Sequence, residues 1–223
     1  MRDLPDLPSD DELVARLRTR DETAFALVLD AWSGGMTRVA RSIVSTSASA
    51  DEVVQDAWLA VVQGIGAFES RSSLKTWVFR VLVNTAKRRA MREGRHVSWS
   101  LVPGEDDRPT VDPTRFRGHG EPFPGHWLEF PAPWPSPEQG ALAGEVQAQV
   151  EAALADLPER QRVVITLRDM EGYGSDEVCS ILQISATNQR VLLHRARAFV
   201  RGRLEAYFVV SAPASDVGTE VKQ

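Results

Sequence analysis

The 223-residue chain has one cysteine, Cys179, so an internal disulfide framework and a cysteine-rich zinc site are both excluded. The same residue reads as a small hydrophobe on a helix rather than a nucleophile. No apolar run approaches the roughly 20 residues needed to span a bilayer, and the acidic, proline-containing start does not resemble a signal peptide. A glycine-rich phosphate loop is missing. The four histidines form no pair at metal-ligand spacing, and no serine or cysteine has a recognisable base. No catalytic residue, metal or cofactor is therefore expected. The remaining composition, 43% apolar and 26% charged, is ordinary for a cytoplasmic globular chain and excludes wholesale disorder.

The formal net charge of -5 conceals a sorted distribution. Acids dominate residues 3–22, where Asp3, Asp6, Asp10, Asp11, Glu12, Asp21 and Glu22 face only Arg16, Arg18 and Arg20. Between Arg71 and Arg95 the sign reverses, with Glu93 the one acid among eight cations. A second run, Arg190, Arg195, Arg197, Arg201 and Arg203, holds no acid. Two basic stripes on an acidic protein suit a polyanion held at two places, with acidic surface left for another partner; two solvated helix faces would look alike on charge alone.

Periodicity divides the chain. Residues 13–95 lack proline and repeat apolar residues at steps of three and four, as in Val39, Ile43 and Val44, then Val53, Val54, Ala57, Trp58, Val61 and Val62. Residues 96–140 carry nine prolines with Phe116, Phe123, Trp127, Phe130 and Trp134, a spacing no regular helix survives. Helical periodicity returns over 141–208, and 209–223 reads as a frayed tail. The expectation is an all-α protein: an acidic arm (1–12), a helical domain (13–95), a long Pro/Gly/Trp-rich linker (96–140), a second helical domain (141–208) and the tail. That linker is longer than an ordinary inter-helix loop.

Two motifs carry chemistry. Near the C-terminus, Ser175 followed by Asp176 and Glu177 suits a helix start. This helix should stop near Ile184, and Ser185 should cap a second helix. The second helix has Leu192, Leu193, Ala196, Phe199 and Val200 on one side and Arg190, His194, Arg197 and Arg201 on the other. A short helix, a tight turn and a basic amphipathic helix form a helix-turn-helix, whose second member enters the major groove by its N-terminal part. Thr187 to Arg195 can then reach base edges, while Arg197 and Arg201 suit phosphate. A plain helical hairpin is the alternative.

Earlier in the chain, a loop of Gly64, Gly66, Phe68 and Ser70 to Ser73 runs into a helix from about Leu74. Leu74, Val78, Val81 and Leu82 face inward on that helix. Ser73, Thr76, Arg80, Asn84 and Lys87 form a polar stripe ending in Arg88, Arg89 and Arg92, with phosphate ligands and one amide for a base edge. Phe68 suits either stacking on an unstacked base or burial. Trp77, among the inward residues, suits core packing.

Taken together, the chain resembles an extracytoplasmic-function sigma factor, the two-domain specificity subunit of bacterial RNA polymerase. The resemblance spans 13–208 and rests on four pieces in order: Ala50-Asp51-Glu52-Val53-Val54-Gln55-Asp56; Phe68 to Trp77 with Val83-Asn84-Thr85-Ala86-Lys87; Leu157-Pro158-Glu159-Arg160-Gln161-Arg162; and Leu193-His194-Arg195-Ala196-Arg197. It implies that Asp51, Glu52, Gln55 and Asp56 of sigma region 2 dock on the clamp helices of the polymerase largest subunit. It implies that Phe68, Ser72, Ser73, Lys75, Arg80, Asn84, Lys87 and Arg88 open and read the minus-ten element. Region 4 would read the minus-thirty-five element through Thr187, Asn188, Arg190, Val191, His194, Arg195 and Arg197, and meet the polymerase flap. The linker would thread toward the active-site and RNA-exit channels. An anti-sigma factor covering the polymerase-binding faces is implied too, with no membrane insertion and no catalysis.

The sequence departs from the family pattern at Thr187, Val191 and Leu192, where basic, glycine or small polar residues are common, so upstream base preference does not transfer from better-known members. The competing expectations are a stand-alone helix-turn-helix regulator with a helical sensor domain, an adaptor and, least of all, an enzyme. The basic run with Asn84 favours the sigma reading over a sensor domain, which has no use for it.

Overall fold

The computed structural model describes residues 7–94 and 142–211, with side chains at 7–94 and 144–208. The linker expected over 96–140, its aromatics and most of the tail lie outside the described residues. Among the described residues every regular element is helical, as expected.

The first four helices are α1 (Asp10–Arg18), α2 (Glu22–Arg41), α3 (Ser47–Gly64) and α4 (Leu74–Arg92), with a 3-10 turn at Ile65–Ala67. Each helix starts on a side-chain cap. Ser9 accepts from the Glu12 N–H, Asp21 from Thr23 and Ala24, Thr46 from Ser49, and Ser73 from Thr76. Asp10 adds a second acceptor at the head of α4, 2.7 Å from the Leu74 N–H. One acid of the N-terminal stretch is thus committed inside the fold rather than left for a partner.

The core forms where the period of 3.6 stacks apolar residues on one side. Leu13, Met36, Ile43, Leu74, Phe79 and Leu82 are fully buried, each contributing about 1.5–3 kcal/mol relative to exposure. The apolar runs overshoot the buried stripe in two places: Leu29 and Val62 are exposed. Gly34 and Gly35 lie inside α2, where glycine costs about 1 kcal/mol relative to alanine. A β-carbon on Gly34 would find open space short of Arg38 at 3.8 Å, but one on Gly35 would come within 2.4 Å of a Glu171 carboxylate oxygen. The Glu171 carboxylate is the end of a flexible side chain, so the Phe79 ring at 3.3 Å is the firmer limit on a side chain at Gly35.

The later helices are α5 (Leu142–Asp156), α6 (Glu159–Ile165), α7 (Ser175–Leu182) and α8 (Ala186–Ser211), with a π-type turn at Thr166–Met170. The expected cap at Ser175 is displaced by one residue. Gly174 occupies the cap, and Glu177 reaches back to accept its N–H at 2.8 Å, which leaves Ser175 free to open the helix and donate to Gln189 at 3.0 Å. Helix α7 also stops two residues before Ile184, because Gln183 takes the left-handed conformation at φ 58°. Glycine is the usual signal for that turn, and glutamine gives none. Ser185 caps α8 as expected, accepting from the Asn188 N–H at 3.2 Å.

The described residues fall into two units. One contains residues 7–94 with 158–193, so that α6, α7 and the start of α8 belong with the first four helices. The other contains 142–157 with 194–211, where Arg203 pairs with Asp156 and the Tyr207 hydroxyl donates to Glu145 at 2.8 Å.

Candidate nucleic-acid interface

Helix α4 and the loop before it hold the first set of expected residues. Ser73 and Arg88 are exposed, and Ser72, Lys75, Arg80, Asn84 and Lys87 are half-buried. The loop is tied to the bundle by Arg18, whose guanidinium donates to the Phe68 carbonyl at 2.6 Å. Beside that tether the Phe68 side chain lies inward. Its ring is 5% exposed and lies 5.2 Å from the Trp77 ring in a tilted pair. Of the two roles the sequence left open for Phe68, stacking or burial, its ring takes the buried one, which corrects its place among the residues expected to read the minus-ten strand. Trp77 is half-buried beside it.

Beside this pair is a cavity of about 210 Å³ lined by Phe68, Glu69, Arg71, Ser72, Trp77, Arg80 and Ser180. Arg71 is paired with Glu69 at 2.6 Å, which leaves the Arg80 guanidinium and the Ser72 and Ser180 hydroxyls, beside the half-buried Trp77 ring, to donate to an electron-rich planar group.

Two of the cations expected to meet the minus-ten strand have partners on other elements of the chain. The Lys75 ammonium sits 4.9 Å from the centroid of the Tyr173 ring and 5.9 Å from that of Phe79. Lys87 donates to the Leu182 carbonyl at 3.0 Å, an end carbonyl of α7 that lacks a partner within its own helix. Burial pushes its pKa down to about 8. Thr76, expected on the polar stripe, is 2% exposed and donates to Glu177 at 2.9 Å.

Asp51, Glu52, Gln55 and Asp56 are all exposed on α3. Glu52 accepts from Arg89 at 2.5 Å, and Arg89 also donates to Glu93 at 3.0 Å. Glu93 accepts from Ser49 at 2.6 Å and from Ser45 at 3.2 Å. With the Ser49 hydroxyl and the Arg89 guanidinium beside it, its carboxyl falls to about 2. This cluster joins α3 to α4 beneath the acidic face. Sequence reasoning missed the rest of that face. Leu59, 61% exposed, lies two turns beyond Glu52, and Val62, expected inside, is 48% exposed. The seven-residue step from Glu52 was the signal for Leu59.

On α8, Thr187, Arg190, His194 and Arg197 are exposed, and Val191 and Arg195 are half-buried. Asn188 is a correction: it is 3% exposed and cannot reach a base edge. Steps of four place it in line with Leu192 and Ala196, the buried stripe, and Gln189 beside it is 1% exposed. Cys179 sits half-buried on α7, its thiol pushed up by burial and by Asp176. Among the described residues no group of three or more histidine, cysteine or acidic side chains could hold a metal, and no helix is long and apolar enough to cross a membrane.

Comparison with known proteins agrees with this layout. Residues 29–96 match the family described as Sigma-70 region 2, and residues 147–200 match Sigma-70, region 4. Together the two matches take in more than half of the chain. The chain is 28% identical to the RNA polymerase sigma-H factor of Pseudomonas aeruginosa, over 88% of this chain and 94% of that one. It is 26% identical to the ECF RNA polymerase sigma-E factor of Escherichia coli strain K12, over 88% and 95% respectively. Two solved structures share the fold. CnrH in complex with the cytosolic domain of CnrY is 20% identical with a TM-score of 0.57, covering 89% of this chain and 99% of that one. The sigma factor RpoE in complex with the anti-sigma factor NepR from Bartonella quintana is 20% identical with a TM-score of 0.51, covering 81% and 96%. With region 2 on the first helices and region 4 on the helix-turn-helix, in that order along one chain, the protein belongs to the sigma-70 family, as a factor of the extracytoplasmic-function type.

Proposed function

We propose that this chain is an alternative sigma factor that joins core RNA polymerase in the cytoplasm, recognises promoter DNA at two elements and opens the downstream one. It works by binding, without a catalytic step of its own. The observation that carries this reading is the polar cavity at the head of α4, next to a helix whose exposed side continues in Arg88 and Arg92. An unstacked base of the minus-ten strand enters the cavity between Ser72 and Arg80. Arg71 and Arg88 hold the flanking phosphates, and Asn84 pairs with a base edge. Upstream, Arg190, His194 and Arg195 read the major groove of the minus-thirty-five element, with Arg197 and Arg201 on phosphate.

Unstacking costs a few kcal/mol per flipped base, more than so few contacts offset in an isolated acidic protein. Polymerase supplies the remainder. Its clamp helices dock on the exposed Asp51, Glu52, Gln55 and Asp56, with Leu59 and Val62 as the apolar part of the contact. The RpoE relative is solved with an anti-sigma factor, and a regulator of that kind covering the same α3 face fits this chain.

The test is runoff transcription with reconstituted holoenzyme on a promoter selected by this factor. The Asn84→Ala, Arg195→Ala double variant should lose specific starts, since one base contact is worth about 1–3 kcal/mol of discrimination. Transcription equal to wild type would overturn the site assignments. Tight operator binding by the free protein, with no association with core polymerase in copurification, would instead identify a stand-alone regulator.

A further inference from the structure

The two helices of the helix-turn-helix are joined at one end by the three-residue turn Gln183–Ser185, in which Gln183 takes the left-handed conformation at φ 58°. Burial of Val178, Ile181 and Leu182 on α7 and of Leu192 on α8 has no directional preference, so by itself it leaves the angle between the helices loosely set. A second, directional link lies away from the turn. Ser175 is the first residue of α7, about 10 Å along the helix from Leu182. Its half-buried hydroxyl donates to Gln189 Oε1 at 3.0 Å, across fourteen residues of chain. Ser175 is available for this because Gly174 takes the cap, with Glu177 accepting the Gly174 N–H at 2.8 Å. Gln189 lies in the first turn of α8 and is 1% exposed. The turn and the Ser175–Gln189 bond thus brace the two helices at separate points, which is what fixing an angle requires. Thr187 and Arg190, exposed within two residues of Gln189, take their placement from the same stretch of helix.

The bond contributes little to stability. Gln189 Nε2 is buried without a hydrogen-bond partner among the described residues, and an orphaned buried amide group offsets what the Oε1 bond supplies. An apolar side chain of the same length would avoid that penalty, but it would give α8 no direction. We propose that Ser175 and Gln189 are positioning residues for the minus-thirty-five helix: their bond sets the angle at which α8 is presented to the major groove, and with it the reach of Thr187 and Arg190 to base edges. The proposal rests on reading α8 as the helix that enters the upstream element. Gln189, being buried, touches no base and acts through its exposed neighbours.

The experiment uses reconstituted holoenzyme in runoff transcription, on a promoter selected by this factor and on the same promoter with its minus-thirty-five element replaced. The ratio of the two yields is the readout. Gln189→Met keeps the length and helix propensity of glutamine but removes both polar atoms, and Ser175→Ala removes the hydroxyl alone. Each should lower the ratio about tenfold, the discrimination of roughly one base contact. The double variant should lower it no further than the more affected single one, because both changes remove the same bond. In urea denaturation Gln189→Met should unfold at the wild-type midpoint or above it. A bond that served stability alone would give the opposite pattern, with the ratio unchanged or falling only in step with a lowered midpoint, and that result overturns the proposal, as do additive losses in the double variant. Arg190→Ala separates the two readings. If it lowers the ratio while Gln189→Met and Ser175→Ala leave it at the wild-type value, only the positioning role falls. If none of the three variants changes the ratio, α8 is not the upstream reader and the underlying reading falls as well.

Discussion

Helices α4 and α8 carry the same sequence signal, an apolar stripe backed by arginines and lysines, yet the fold puts them to different use. On α4 the cations are drawn into the protein: Lys75 onto Tyr173, Lys87 onto the end of α7, Arg89 between Glu52 and Glu93. On α8, Thr187, Arg190, His194 and Arg201 stand in solvent. A basic stripe therefore reports a side of a helix and not the occupancy of its charges. Occupancy depends on what other parts of the chain bring against that side. For α4 this is a turn and a helix from about a hundred residues further along.

The largest expected effect tests the two apolar stripes against each other. Phe79→Ala should cost about 3–5 kcal/mol and Leu192→Ala about 2–5 kcal/mol in urea denaturation, by lost burial plus the cavity left behind. Phe79 belongs at the upper end because its ring also supports Tyr173. A Phe79→Ala cost below that of Leu192→Ala would mean that the contact between α4 and Tyr173 contributes nothing to stability.

A smaller effect compares the two helix starts. Ser73→Ala and Ser185→Ala each remove an oxygen that accepts a backbone N–H, at 3.1 and 3.2 Å, and each should cost about 1 kcal/mol. Ser73→Ala should be the milder of the two, because Asp10 still accepts from the Leu74 N–H at 2.7 Å. The Asp10→Ala, Ser73→Ala double variant should then lose more than the sum of the single changes.

The smallest effects are in the pH dependence of stability, and they have opposite signs. Lys87 has a folded pKa lowered from 10.5 to about 8. The unfolded chain therefore holds the extra proton between those values, and stability should rise with pH across that window. Glu93 is lowered from 4.5 to about 2. Its contribution is complete above the unfolded value and should disappear as pH falls toward 2. Lys87→Gln should flatten the alkaline slope and Glu93→Gln the acid one, each without changing the other, as read from denaturation midpoints across pH.

Much of this was legible in the sequence. The helical class, the starts at Ser73 and Ser185, the inward residues Leu74, Val78 and Leu82, and the exposed acids of α3 all follow from a period of 3.6 and from cap chemistry, which are local. The misses have different causes. Phe68 lies inward against Trp77 in a loop that Arg18, fifty residues earlier, holds by its carbonyl. Val62 lies outside because the bundle buries a narrower stripe than the sequence offers. Asn188 was placed among base readers by its position early in α8, while a count of four from Leu192 puts it on the buried side.

From the amino-acid order alone came the helices, the faces they divide into and the two cationic stripes, since each depends on residues within a few turns of one another. Tertiary structure decided which cations already have partners, why Gly35 has no side chain and where Glu171 and Tyr173 come to rest. Those outcomes depend on the approach of segments from tens to more than a hundred residues apart, and no local pattern encodes the point at which two distant surfaces meet.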